Sequence, residues 1–100
     1  MKSIRVERAL KKLGADIRDA RRRRRISTEL MAERMGVSRG TLNRLEAGNP
    51  QVAISAWASA LMILGKLDAL ADLVDRTQDP LGLDLLEEQL PQRIREGRVR

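Results

Sequence analysis

Cysteine and histidine are both absent from this 100-residue sequence, as are phenylalanine and tyrosine, and the one aromatic side chain is Trp57. Without thiols there is no disulfide framework. Without thiols or imidazoles there is no zinc site of the usual kind, and no catalysis that relies on a cysteine or histidine nucleophile or base. Long apolar runs are missing as well. The opening MKSIRVERALKKLGADIRDARRRRR never sustains one, and no stretch approaches the roughly 18 apolar residues needed to span a bilayer. A cytoplasmic protein with no signal peptide and no membrane contact is therefore expected. Carboxylates, serines and lysines are present, but they fall on helix surfaces without a nucleophile–base pair or a metal-like cluster, so neither an enzyme nor a cofactor is expected.

What is present is charge, unevenly distributed. The net charge is +6, yet residues 1–27 carry +8, residues 28–50 are neutral, residues 51–91 carry −5 and residues 92–100 carry +3. A cationic pole of this kind releases condensed counterions and steers approach to a polyanion, although a solvated helix face would carry the same charges. The 42% hydrophobic content suffices for one modest core. The expectation is one all-α domain over residues 1–75, followed by a tail over residues 76–100.

Five amphipathic segments are read from apolar residues spaced three and four apart. Ala9, Leu10, Leu13, Ile17 and Ala20 mark a first helix from Ala9 to Arg24, with Gly14 expected to fray its start and the firm part beginning near Asp16. Ser27 or Thr28 caps a second helix, with Glu29 in its first turn and Met31, Ala32 and Met35 inside; Gly36 ends it. Ser38 precedes a third, whose Leu42 and Leu45 face inward while Arg39, Thr41, Asn43 and Arg44 are left outside. After Gly48, Asn49 and Pro50, a fourth helix carries Ile54, Trp57, Ala58, Leu61 and Leu64 on one face and closes at Gly65; Trp57 is read as core. Leu67, Leu70, Ala71 and Val74 mark a fifth. Asp79-Pro80 then reads as a break, Leu85, Leu86 and Leu90 as one short amphipathic turn, and QRIREGRVR as an edge strand or a disordered end.

The stretch TELMAERMGVSRGTLNRLEAG has the spacing of two short helices meeting at a sharp turn. Ala32 is the small residue at the crossing, Gly36 is able to take a positive φ, and Val37, Leu42 and Leu45 pin the second helix to the core. Residues 26–48 resemble the helix-turn-helix of the Xre/Cro/phage-repressor family, with Ala32, Gly36, Val37, Ser38, Leu42, Leu45, Glu46 and Gly48 in matching places. The resemblance extends over the five-helix pattern from Ala9 to Asp75. It implies a lambda-repressor-like domain whose helix from Ser38 to Glu46 enters the major groove of double-stranded DNA. Arg39, able to pair in a bidentate way with guanine, and Thr41 are the implied readers of sequence. Asn43, suited to adenine, and Arg44 lie further along, and Ser38 and Thr28 are placed at phosphates. The family commonly has glutamine where this chain has Thr28, which shortens that brace. Gly40 is either a point of close approach by the DNA or a tolerated glycine. Within the run Arg21 to Arg25, Arg24 and Arg25 are expected to reach phosphate, and the others to be solvated or paired with Asp16, Asp19 or Glu29.

Repressor domains of this family bind palindromic operators as dimers, so a homodimer is implied, with the fifth helix and the tail as its apolar material. The tail's leucines among acidic residues, followed by a basic end, are similar to those of HipB-type antitoxins, which repress their own operon and hold a HipA-like serine/threonine kinase toxin inactive. Leu85, Leu86, Leu90 and Ile94 are the implied partner contacts. Two alternatives stay open: a stand-alone repressor whose tail serves dimerisation, and a module driven by the arginine run that binds nucleic acid without regard to sequence.

Overall fold

The computed structural model describes residues 3–89, and all its regular structure is helical: α1 (Ile4–Arg23), α2 (Thr28–Met35), α3 (Arg39–Glu46), α4 (Ile54–Ile63), α5 (Leu67–Ala71), a 3-10 turn (Arg76–Gln78) and α6 (Pro80–Gln89). The chain divides into two compact units, Met1–Leu70 and Ala71–Arg100. No helix among the described residues is long and apolar enough to cross a membrane.

The core of the first unit is built by one residue of α1, Ile17, with Met31, Ala32 and Met35 of α2, Leu42 and Leu45 of α3, and Ala56, Trp57 and Ala60 of α4 followed by Leu64. These positions recur at helical spacing, so each helix contributes one stripe and leaves its charges outside. Helix α1 packs on α3, and α2 packs on both α3 and α4.

Helix α1 begins five residues earlier than the sequence led us to expect. Ser3 caps it, its Oγ accepting from the Val6 N–H at 3.3 Å. Gly14 does not fray the helix; it is buried where α1 crosses the end of α3. Ser27, and not Thr28, is the cap of α2, with the Leu30 N–H donating to its Oγ at 3.1 Å.

The inner face of α4 is rotated from the expected one. Ile54 is 72% exposed, and Ala56 and Ala60 are buried beside Trp57 in its place. Small side chains at those two positions let the α4 backbone approach α2 closely, and that closeness outweighs the larger transfer energy of isoleucine. Helix α5 stops at Ala71, so Val74 is exposed and packs on no core.

In the second unit Pro80 starts a helix where a break was expected. Its fixed φ and missing N–H suit the first helical position, and Asp79 caps from outside, its Oδ1 accepting from the Gly82 N–H at 3.1 Å. The short turn read around Leu85 and Leu86 is therefore part of a ten-residue helix. Before it, the Thr77 N–H donates to Asp75 Oδ1 at 2.8 Å and its hydroxyl does so at 2.7 Å, which holds the Asp75 carboxyl below its ordinary range. Leu90, Ile94 and the proposed edge strand lie outside the described residues; no strand occurs among the described ones.

Candidate nucleic-acid interface

Helices α2 and α3 are joined by three residues whose hydrogen bonds leave little freedom. Gly36 adopts φ +73°, which lets the Val37 N–H fold back to the Ala32 carbonyl at 3.0 Å and the Gly36 N–H to that of Glu33 at 3.0 Å. This is the paired C-terminal closure that a left-handed residue permits. Ser38 then returns to extended backbone and caps α3, its Oγ accepting from the Thr41 N–H at 3.1 Å.

Helix α3 is fixed by Leu42 and Leu45, both 0% exposed. The opposite face is thereby turned out: Arg39, Gly40, Asn43 and Arg44 are exposed and Thr41 is half-buried. On that face the Ser38 hydroxyl donates to Thr41 Oγ1 at 3.0 Å, and Arg44 Nη2 donates to the same oxygen at 3.1 Å. The Thr41 hydroxyl hydrogen is left to donate outward. Arg39 Nη1 lies 3.6 Å from Glu29 Oε2 with both side chains mostly in water, a pair worth little and easily exchanged for another acceptor.

The far end of α3 is held by a buried ion pair. Arg21 Nε and Nη2 donate to Glu46 Oε2 at 2.7 Å and Oε1 at 3.1 Å, and Arg21 Nη1 donates to the Ile26 carbonyl at 2.8 Å. The two side chains are 7% and 6% exposed. One guanidinium thus ties the last turn of α1 to the last residue of α3 and to the link into α2. The partner of Arg21 is Glu46, 25 residues along the chain, and not Asp16, Asp19 or Glu29, the partners expected for the run.

The remaining arginines of the run separate by direction. Arg23 pairs with Asp19 at 3.2 Å. Arg24, expected at phosphate, donates to the Ala20 carbonyl at 3.0 Å and the Leu64 carbonyl at 3.3 Å, on the side of the domain where Leu61 and Lys66 lie. Arg25 is exposed at φ +56° just past the end of α1. Arg22 lines a groove of about 320 Å³ together with Arg18, Thr28, Asn43 and Ala47. Thr28 and Asn43 are thus brought together, whereas Arg24 is not brought to them. Gln51 was not singled out from the sequence; it shares an open cleft with Thr41 and Arg44. No local pattern marks it, because it reaches the site through the chain reversal at Gly48, where φ is +79°.

The outward face of α3 therefore offers a planar guanidinium, an amide and a hydroxyl donor on a rigid, eight-residue helix. That set suits the hydrogen-bonding edges of bases and the oxygens of phosphates. A family model described as a helix-turn-helix domain matches residues 12–81. No curated protein matches the chain, and no solved structure matches it.

Proposed function

Because the chain belongs to the helix-turn-helix domain family, of the Xre-like kind, we propose that it is a sequence-specific, DNA-binding transcriptional repressor that acts by binding and not by catalysis. The observation that carries this reading is α3 itself. Leu42 and Leu45 lock one face into the core, and Arg39, Thr41, Asn43 and Arg44 are presented on the other. Arg39 reads guanine and Thr41 a base edge or a thymine methyl. Asn43 and Arg44 extend the contact, Ser38 and Thr28 lie at the backbone, and the protein works in the cytoplasm at the nucleoid.

The repressor binds a palindromic operator as a homodimer, one α3 per half-site. Support for self-association comes from α4, which has no charged residue and leaves Ile54 and Met62 exposed. A further role as an antitoxin that holds a HipA-like kinase draws on the second unit, where Leu81 and Leu85 stand exposed on α6 beside Asp84, Glu87 and Glu88. Footprinting of the DNA upstream of the protein's own gene tests the repressor, and a nuclease-treated pull-down from the native host tests the antitoxin. A protected palindrome together with a retained kinase supports both roles. A footprint with no captured partner leaves a stand-alone repressor, and no protected sequence at all contradicts autoregulation.

A further inference from the structure

Arg18 and Arg22 lie one turn apart on α1, and both are exposed. At this spacing two cations on a helix repel one another, a cost that an anion seated between them removes. Neither has an ion-pair partner among the described residues. The other cations of that stretch of α1 are occupied: Arg21 by Glu46 and the Ile26 carbonyl, Arg23 by Asp19, and Arg24 by two helix-end carbonyls.

The surroundings of the pair are those of an anion seat. The two arginines line the groove of about 320 Å³ whose other wall includes Thr28 at the start of α2 and Asn43 on α3. The acidic groups nearby already have partners: Glu46 is buried against Arg21 at 2.7 Å, and Asp19 pairs in water with Arg23 at 3.2 Å. What is left is two guanidinium groups with spare donors beside the helix presented to DNA. The guanidinium fork matches the oxygens of a phosphodiester.

We propose that Arg18 and Arg22 together grip a backbone phosphate of the DNA strand running alongside α3, a contact that adds affinity without reading sequence. The inference rests on the DNA-binding function argued above. It assigns the phosphate grip of the arginine run to Arg22 with Arg18, in place of Arg24.

The test is the salt dependence of DNA affinity, measured on the full chain with a duplex selected by the wild-type protein and with a scrambled duplex. The double variant Arg18→Gln/Arg22→Gln loses one phosphate contact and is expected to reduce the slope of log K against log salt by about 1, and each single variant by less, on both duplexes alike. The preference for the selected duplex stays unchanged. Arg23→Gln removes the same charge one residue along and is expected to change the slope by less than half as much. The melting temperature of the double variant should equal or exceed that of the wild type, because two repelling charges are gone; a structural role for the pair would lower it. Equal slopes for the double variant and the wild type, or a loss confined to the selected duplex, would overturn the proposal while leaving the DNA-binding function in place. Failure of the wild-type protein to bind either duplex would overturn the function on which the proposal rests.

Discussion

Gly14 and Leu45 are in such close apposition that a Cβ on the glycine would lie 2.5 Å from the Leu45 carbonyl oxygen. The Glu46 carbonyl oxygen, at 2.8 Å, and the Gly48 nitrogen, at 2.9 Å, leave no space to either side. All three are backbone atoms, so the clash cannot be relieved by a side-chain rotation. Gly14→Ala would gain about 1 kcal/mol of helix propensity and lose more, about 1–3 kcal/mol, by pushing α1 off α3. A urea titration should show a lower midpoint for Gly14→Ala; a higher one would mean that the helices do not cross so closely.

Gly40 is the contrasting case, because a Cβ there meets nothing nearer than Arg44 Nη1 at 3.5 Å, an ordinary contact. Gly40→Ala should therefore stabilise the free protein by about 0.5–1 kcal/mol, since nothing in the fold asks for glycine. Its affinity for operator DNA should fall if the DNA approaches α3 closely at this point. Greater stability with undiminished affinity would assign Gly40 to simple tolerance.

The Arg21–Glu46 pair should show strong coupling. Arg21→Met alone strands a buried carboxylate and should cost about 3–5 kcal/mol, a large part of the stability of a small domain. Adding Glu46→Leu removes the stranded charge, so the double variant should be more stable than Arg21→Met alone. A thermodynamic cycle by chemical denaturation measures this, and simple additivity of the two changes would show that the pair is not buried as described.

Arg25 takes the left-handed conformation at φ +56°, where an L side chain is disfavoured by about 1–2 kcal/mol. Its N–H still closes the helix end by donating to the Arg22 carbonyl at 2.9 Å. Arg25→Gly keeps that hydrogen bond without the strain and should raise stability by about 0.5–1 kcal/mol after glycine's own entropy is counted. Thermal unfolding in both forms checks this; a lower melting temperature for the glycine variant would contradict it.

Stability and DNA affinity should both be flat between about pH 6 and pH 8.5, since the sequence has no histidine. The hydrogen bonds from Thr77 lower the Asp75 pKa, so its contribution is complete above its ordinary 3.8 and is lost only as pH falls below that. The hydrogen bond and charge of Asp16 raise the Lys12 pKa, so that contribution is complete below its ordinary 10.5 and is lost only above it. Both windows lie outside the neutral range. A binding constant that changes tenfold between pH 6 and pH 8 would point to a titrating group that this chain's side chains do not supply.

Much of this structure is written locally. Ser27, Gly36 and Ser38 specify the turn through their own backbone preferences, and Leu42 and Leu45 declare the buried side of α3 by spacing alone. The end of α4 at Gly65 and the burial of Trp57 are legible for the same reason. What was not legible depended on partners distant in sequence. Gly14 reads as a helix weakness until the end of α3 is placed against it, and Arg21 is one of five identical residues until Glu46 meets it. The face of α4 is not legible from apolar spacing, because the large Ile54 marks one stripe while the buried one is lined by the small Ala56 and Ala60. Pro80 is ambiguous in sequence, because a proline that breaks a helix from within can also begin one when an aspartate precedes it.

The most direct test of sequence-specific binding is selection of duplexes from a random pool by the wild-type protein and by Arg39→Ala. The wild type should enrich a palindromic motif with a fixed guanine in each half-site. The variant should enrich the same motif with that guanine relaxed, a loss of about 1–3 kcal/mol of discrimination at one position. A pool that stays random, with affinity that falls with salt equally for all sequences, would contradict it and leave only a cationic surface that binds any nucleic acid.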